Sequence, residues 1–220
     1  MKLQLAIDLL DVQAVRVLLE EVVDLIDIVE IGTPLILQEG MAIVREIREK
    51  YPAVELLADL KIADAGELEA RIGFDAGADI VTVLGIAHDV TIQGAINAAG
   101  TCGKRIMVDL ISVSDVQRRV SELEVLGVDH VCVHTAFDAQ GQGQSPLEEL
   151  RLVERVRTTA TIAVAGGINP ATLRDALVYH PDIVVVGSFI TGHPDKRKAA
   201  LEIRRLVEST VEPSANTLTG

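Results

Sequence analysis

Two kinds of segment alternate along the whole chain. A short apolar run closes on a polar residue or a glycine, and an amphipathic stretch follows. The apolar runs are Leu3–Ile7, Asp27–Ile31, Val54–Leu60, Asp79–Leu84, Arg105–Ile111, His130–Val133, Thr161–Ala165 and Ile183–Val186. Each reads as a buried strand, and they recur at about 20 to 28 residues, the length of a βα unit.

The stretches between them carry helical signals. Asp11 caps a helix running through Val15, Leu18, Leu19 and Val22. Gly40 to Lys50 places Ile43, Val44 and Ile47 at helical spacing and stops before Pro52. Glu67–Ala76, Asp89–Ala99, Ser114–Leu126, Pro146–Arg157, Pro170–Val178 and Asp195–Val207 complete the set, several of them closed by glycine. This pattern predicts a single (β/α)8 TIM barrel over residues 1–208. An open doubly wound sheet competes, but no Gly-x-Gly-x-x-Gly follows the first strand. Residues 209–220 are polar and aperiodic and read as a flexible tail.

Composition sharpens this. Apolar residues make up 49% of the 220 and aromatics 2%, so Val, Ile, Leu and Ala must build the core. Parallel strands under covering helices suit that palette. The net charge of −13 repels nucleic acid and anionic lipid. No uncharged stretch approaches a membrane span, and the N-terminus runs into a strand without the apolar segment of a signal peptide. Cys102 and Cys132 show no metal-type spacing, which fits a reducing, cytoplasmic setting.

In this barrel, chemistry collects at the C-terminal ends of the strands. There stand Asp8, Glu30 with Gly32 and Thr33, Asp59 with Lys61, Asp109, His134 with Thr135, Gly166-Gly167 and Gly187-Ser188. Four carboxylates, a lysine and a histidine on one rim exceed what a core needs. Asp59 and Lys61 are two apart and share a strand face. Asp64 with Glu67 also reads as a helix capping box, and Asp59–Lys61 as a structural ion pair. The small residues Ala165, Gly166, Gly167, Gly187 and Ser188 follow the last two strands, where this fold cradles phosphate; tight turns are the alternative. Glu30 and Asp59, on neighbouring strands, could share Mg²⁺ or Mn²⁺ through oxygen ligands, or Lys61 could neutralise one of them with no metal bound. His88, His130, His180 and His193 carry no expected catalytic role.

Five phrases resemble a known family: Val29-Glu30-Ile31-Gly32-Thr33, Ala58-Asp59-Leu60-Lys61-Ile62-Ala63-Asp64, Ala78-Asp79-Ile80-Val81-Thr82-Val83-Leu84-Gly85, Val133-His134-Thr135 and Val164-Ala165-Gly166-Gly167-Ile168. They are similar to the orotidine-5′-monophosphate decarboxylase superfamily, and within it to 3-hexulose-6-phosphate synthases, from Lys2 to about Val207. The neighbouring branch, 3-keto-L-gulonate-6-phosphate decarboxylase, has arginine at the place of Phe137 and glutamate at that of Asp109. The resemblance implies a Mg²⁺-dependent aldol reaction of formaldehyde with D-ribulose 5-phosphate. It places metal ligands on Glu30 and Asp59, polar substrate contacts on Asp8, Lys61, Asp64 and Asp109, and proton transfer on His134. It also implies a homodimer in which Asp64 reaches the neighbouring subunit's site. Decarboxylation of a 3-keto-hexonate 6-phosphate through the same enediolate, against which Phe137 stands, a Schiff-base aldolase using Lys61 and a non-catalytic sugar-phosphate-binding barrel are the other readings.

Overall fold

The computed structural model describes residues 1–209. Its strands are β1 (Lys2–Ile7), β2 (Ile28–Ile31), β3 (Glu55–Ile62), β4 (Ile80–Leu84), β5 (Arg105–Asp109), β6 (His130–His134), β7 (Thr161–Ala165) and β8 (Ile183–Val186). Each pairs in parallel with the next, and β8 returns to β1, so the sheet closes as a (β/α)8 barrel. The helices are α1 (Val12–Val22), α2 (Thr33–Glu39), α3 (Ala42–Lys50), α4 (Gly66–Asp75), α5 (Asp89–Cys102), α6 (Val116–Leu126), α7 (Phe137–Gln140), α8 (Leu147–Glu154), α9 (Pro170–Leu177), α10 (Ser188–Thr191) and α11 (Lys196–Ser209). Of the expected tail, only Ser209 falls within the described residues, as the end of α11. Among the described residues, no helix is long and apolar enough to cross a membrane.

Local chemistry sets these elements. Asp11 caps α1 by accepting from the Gln13 N–H at 2.9 Å. Gly127 takes a left-handed conformation after α6, which a residue lacking Cβ adopts freely. Aspartates just before strands tie neighbours together: the Leu3, Leu56 and Ile162 amides donate to Asp27, Asp79 and Asp182. Two expectations change. The helix expected from Gly40 is preceded by a separate one, α2, whose start is marked by Pro34. The Asp64–Glu67 capping box does not form: Ala65 is the N-cap of α4 without a side-chain bond, and Glu67 pairs with Arg71.

Strand alternation produces two cores. Outward-facing residues such as Leu5, Ile31 and Val83 pack against the helices. A separate inner cluster contains Ile28, Leu57, Ile80, Met107 and Cys132. Two residues further along each of those strands stands a polar side chain: Glu30, Asp59, Thr82, Asp109 and His134. Two residues earlier on β3, β5 and β6 stand Glu55, Arg105 and His130. The barrel interior therefore holds one apolar layer between two polar ones. At the N-terminal end, Glu55 pairs with Lys2 at 2.6 Å and with Arg105.

Candidate active site

The five inward polar residues line a cavity of about 610 Å³ at the C-terminal mouth of the barrel. Asp8, Lys61, Ala165, Gly166, Gly167, Gly187 and Ser188 share it. Asp64 does not: it is exposed, outside this cavity. A second, larger depression, about 710 Å³, lies between the Gly85–Val90 and Ser112–Glu122 segments, away from these groups. It is shallow, and its charged side chains Asp89, Arg118, Arg119 and Glu122 are paired with one another.

The centre is a chain of charge-assisted hydrogen bonds. His134 Nδ1 lies 2.9 Å from Asp109 Oδ2, and Lys61 Nζ lies 3.2 Å from that same oxygen. Lys61 also donates to Asp59 Oδ2 at 2.7 Å. The other Asp109 oxygen accepts from the Ile111 N–H. Burial alone would raise the Asp109 pKa; the hydrogen bond from His134 and the charges of His134 and Lys61 outweigh it and hold the carboxyl below its usual value. An ionised carboxylate only accepts, so Nδ1 of His134 carries a proton, and in the neutral imidazole the lone pair is then on Nε2.

Burial works against the Lys61 ammonium, but the facing charges of Asp59 and Asp109 dominate and raise its pKa. Asp59 is held on both oxygens, Oδ1 by the Thr82 hydroxyl at 2.7 Å and Oδ2 by the Thr33 hydroxyl at 2.7 Å. Lys61 itself has a φ of 47°, and the β3–β4 register shifts between Ala58 and Ile62. The two side chains nevertheless meet, as expected from their spacing. Asp8 stands exposed at the rim, with its pKa raised by the surrounding protein and by Asp59. A Cβ on Gly32 would lie 2.8 Å from the Ile7 backbone carbonyl, which leaves no room there for a side chain.

Glu30 is buried beside Gln4, which donates to its Oε2 at 2.7 Å. Burial, then the charge of Asp59, push its pKa up to about 8. Glu30 is level with Leu57, so Asp59 lies diagonally across from it rather than directly opposite. Among the described residues no group of three His, Cys, Asp or Glu side chains is placed to hold a metal. The two carboxylates nonetheless suit a hard divalent cation completed by water and substrate oxygens. An electrostatically crowded Glu30 and the buried, unpartnered Gln4 Oε1 beside it are features such an ion would relieve.

Gly166 and Gly167 both have positive φ, 104° and 67°. A Cβ on Gly166 would lie 2.6 Å from the Thr135 carbonyl, and Gln140 braces that carbonyl with a 3.0 Å bond. Backbone therefore faces the cavity here. Gln4, Thr82 and Gln140 were not singled out as site residues from the sequence. Their inward parity on β1 and β4 was the available signal for the first two.

Residues 1–203 match the orotidine 5′-phosphate decarboxylase / HUMPS family. The chain belongs to this family. It is 44% identical over 207 residues to the 3-hexulose-6-phosphate synthase of Bacillus subtilis (strain 168), covering 94% of this chain and 99% of that one. The crystal structure of 3-hexulose-6-phosphate synthase from Salmonella typhimurium superposes with a TM-score of 0.93 at 45% identity, covering 96% of this chain and all of that one. A crystal structure of KGPDC from Streptococcus mutans shares the fold, with a TM-score of 0.87 at 23% identity, covering 96% of this chain and 99% of that one. The family member described here is thus an enzyme, a lyase on a (β/α)8 barrel.

Proposed function

We propose that this enzyme joins formaldehyde to D-ribulose 5-phosphate, reversibly, to give D-arabino-3-hexulose 6-phosphate. The observation that carries the reading is the His134–Asp109–Lys61 array in a cavity whose far wall is glycine backbone. His134 Nε2 removes a proton from the carbon next to the ketone, leaving an enediolate. That carbon attacks formaldehyde, forming the new C–C bond, and the resulting alkoxide takes the proton back from His134. Asp109 holds the imidazole in the tautomer that accepts at Nε2. Lys61 stays cationic between its two aspartates and offsets charge developing on the enediolate oxygen.

Mg²⁺, with Mn²⁺ as a substitute, is the cofactor we assign, held by Glu30 and Asp59; when bound it supplies Lewis acidity to the substrate oxygens. The phosphate rests against Ala165, Gly166, Gly167, Gly187 and Ser188, whose backbone can approach it closely. A homodimer in which Asp64 serves the neighbouring site accounts for its position outside its own cavity. A protonated Lys61 is a poor amine nucleophile, which weighs against a Schiff base. A purified-protein assay with ribulose 5-phosphate and formaldehyde, with and without Mg²⁺, tests the reading. Hexulose phosphate formed only with both substrates is expected; its absence with Mg²⁺ present overturns the assignment.

A further inference from the structure

Thr82 occupies an inward position on β4, between Ile80 and Leu84, and is buried. One hydroxyl there serves two partners. It donates to Asp59 Oδ1 at 2.7 Å and accepts from the Lys61 backbone N–H at 2.9 Å. The directions are forced, since the carboxylate can only accept and the amide can only donate.

The second bond lies where the sheet is irregular. Ala58 is level with Val81 and Ile62 with Val83, so the β3–β4 register shifts around the residues between them. Within that interval Lys61 adopts the left-handed region, which a residue with a Cβ takes up only when its surroundings compel it. The Thr82 hydroxyl receives the turned amide at this place. The same turn leaves the Lys61 ammonium against Asp59 and Asp109.

We propose that Thr82 is a positioning residue of this site, fixing the left-handed turn at Lys61 and the orientation of Asp59 with a single hydroxyl. The proposal rests on the reading of the cavity as a lyase site, and it concerns a residue to which that reading gives no part. Valine has nearly the same shape but would leave the Lys61 amide and one Asp59 oxygen without this partner. Serine keeps the hydroxyl and loses only a methyl group.

The test compares wild type with Thr82→Val, Thr82→Ser and Thr82→Ala. Two quantities are read: hydrogen exchange of the Lys61 amide by NMR, and kcat and KM for ribulose 5-phosphate. In the valine protein the Lys61 amide should exchange at least about tenfold faster, while amides of β5 keep their protection. Its kcat should fall about 10- to 100-fold, the scale of a small misplacement, with KM changed less than about threefold. Serine should restore both readings. An unchanged Lys61 amide in the valine protein overturns the proposal whatever the activity shows. So does a serine protein as impaired as the valine one, which would assign the effect to the methyl group. Should the valine protein fail to fold, the alanine protein against the serine protein makes the same comparison. A wild type inactive toward both substrates would refute the proposed reaction, and the amide comparison would still decide the role of Thr82.

Discussion

His134 and Lys61 share one oxygen atom of Asp109, at 2.9 and 3.2 Å. A single buried carboxylate thus sets the tautomer of the base and part of the surroundings of the cation. Asp109→Asn removes that charge while keeping the size, so His134 should lose its defined tautomer. His134→Ala removes the base itself. Both should slow exchange of the ribulose 5-phosphate proton with D₂O in the absence of formaldehyde, by about 10²- to 10⁴-fold. Exchange at the wild-type rate in His134→Ala, with product formation lost, would move the base elsewhere and leave His134 acting on formaldehyde.

Chelation addresses the Glu30–Asp59 pair. EDTA should abolish turnover and Mg²⁺ or Mn²⁺ should restore it. Borohydride added with ribulose 5-phosphate should leave Lys61 unmodified by mass spectrometry, because its flanking aspartates keep it protonated. Full activity in a metal-free sample together with a trapped Lys61 adduct would reverse both assignments.

The position of Asp64 gives a complementation test. Asp64→Ala and His134→Ala proteins, each inactive, should regain part of the activity once their subunits exchange, because a mixed dimer has one site with both residues intact. Demonstrated exchange with no recovery would confine Asp64 to its own chain.

Acid stability should depend on His130. Both of its ring nitrogens are buried without a partner. Burial, then the charge of Arg105, lower its pKa, against weaker opposite effects of Asp129 and Glu55; Lys2 adds to the lowering. The folded state therefore binds this proton less readily than the unfolded chain, whose histidine titrates near about 6.5. Stability is full above that pH and is lost as pH falls from there toward the folded value. Urea midpoints should drop between pH 7.5 and 5.5, and His130→Leu should flatten that drop. An equal slope in the variant would assign the acid sensitivity to other groups.

The barrel was legible because its signal is redundant. Apolar runs, glycine stops and cap residues repeat, and Asp11 and Gly127 do in the structure what their chemistry dictates. The strand-end residues were legible for the same reason, since an Asp or His at the close of an apolar run is conspicuous. Thr82 and Gln4 were not, because a single Thr or Gln inside a strand is ordinary until closure shows that its face is the barrel interior. Short α2, α7 and α10 lie in loops where no periodicity can build up. The capping box at Asp64 failed because the chain turns one residue later, at Ala65.

On β3, β5 and β6, a single apolar residue separates a charged or imidazole side chain below from the reactive one above: Leu57, Met107 and Cys132. That layer lies between two sets of charges, each offset by its own ion pairs. Low-dielectric packing does not screen charge, so it is the pairing within each end, and not the layer between, that keeps each in balance. Leu57, Met107 and Cys132, which contribute no chemistry of their own, are together what keeps the two sets of charges apart inside the barrel.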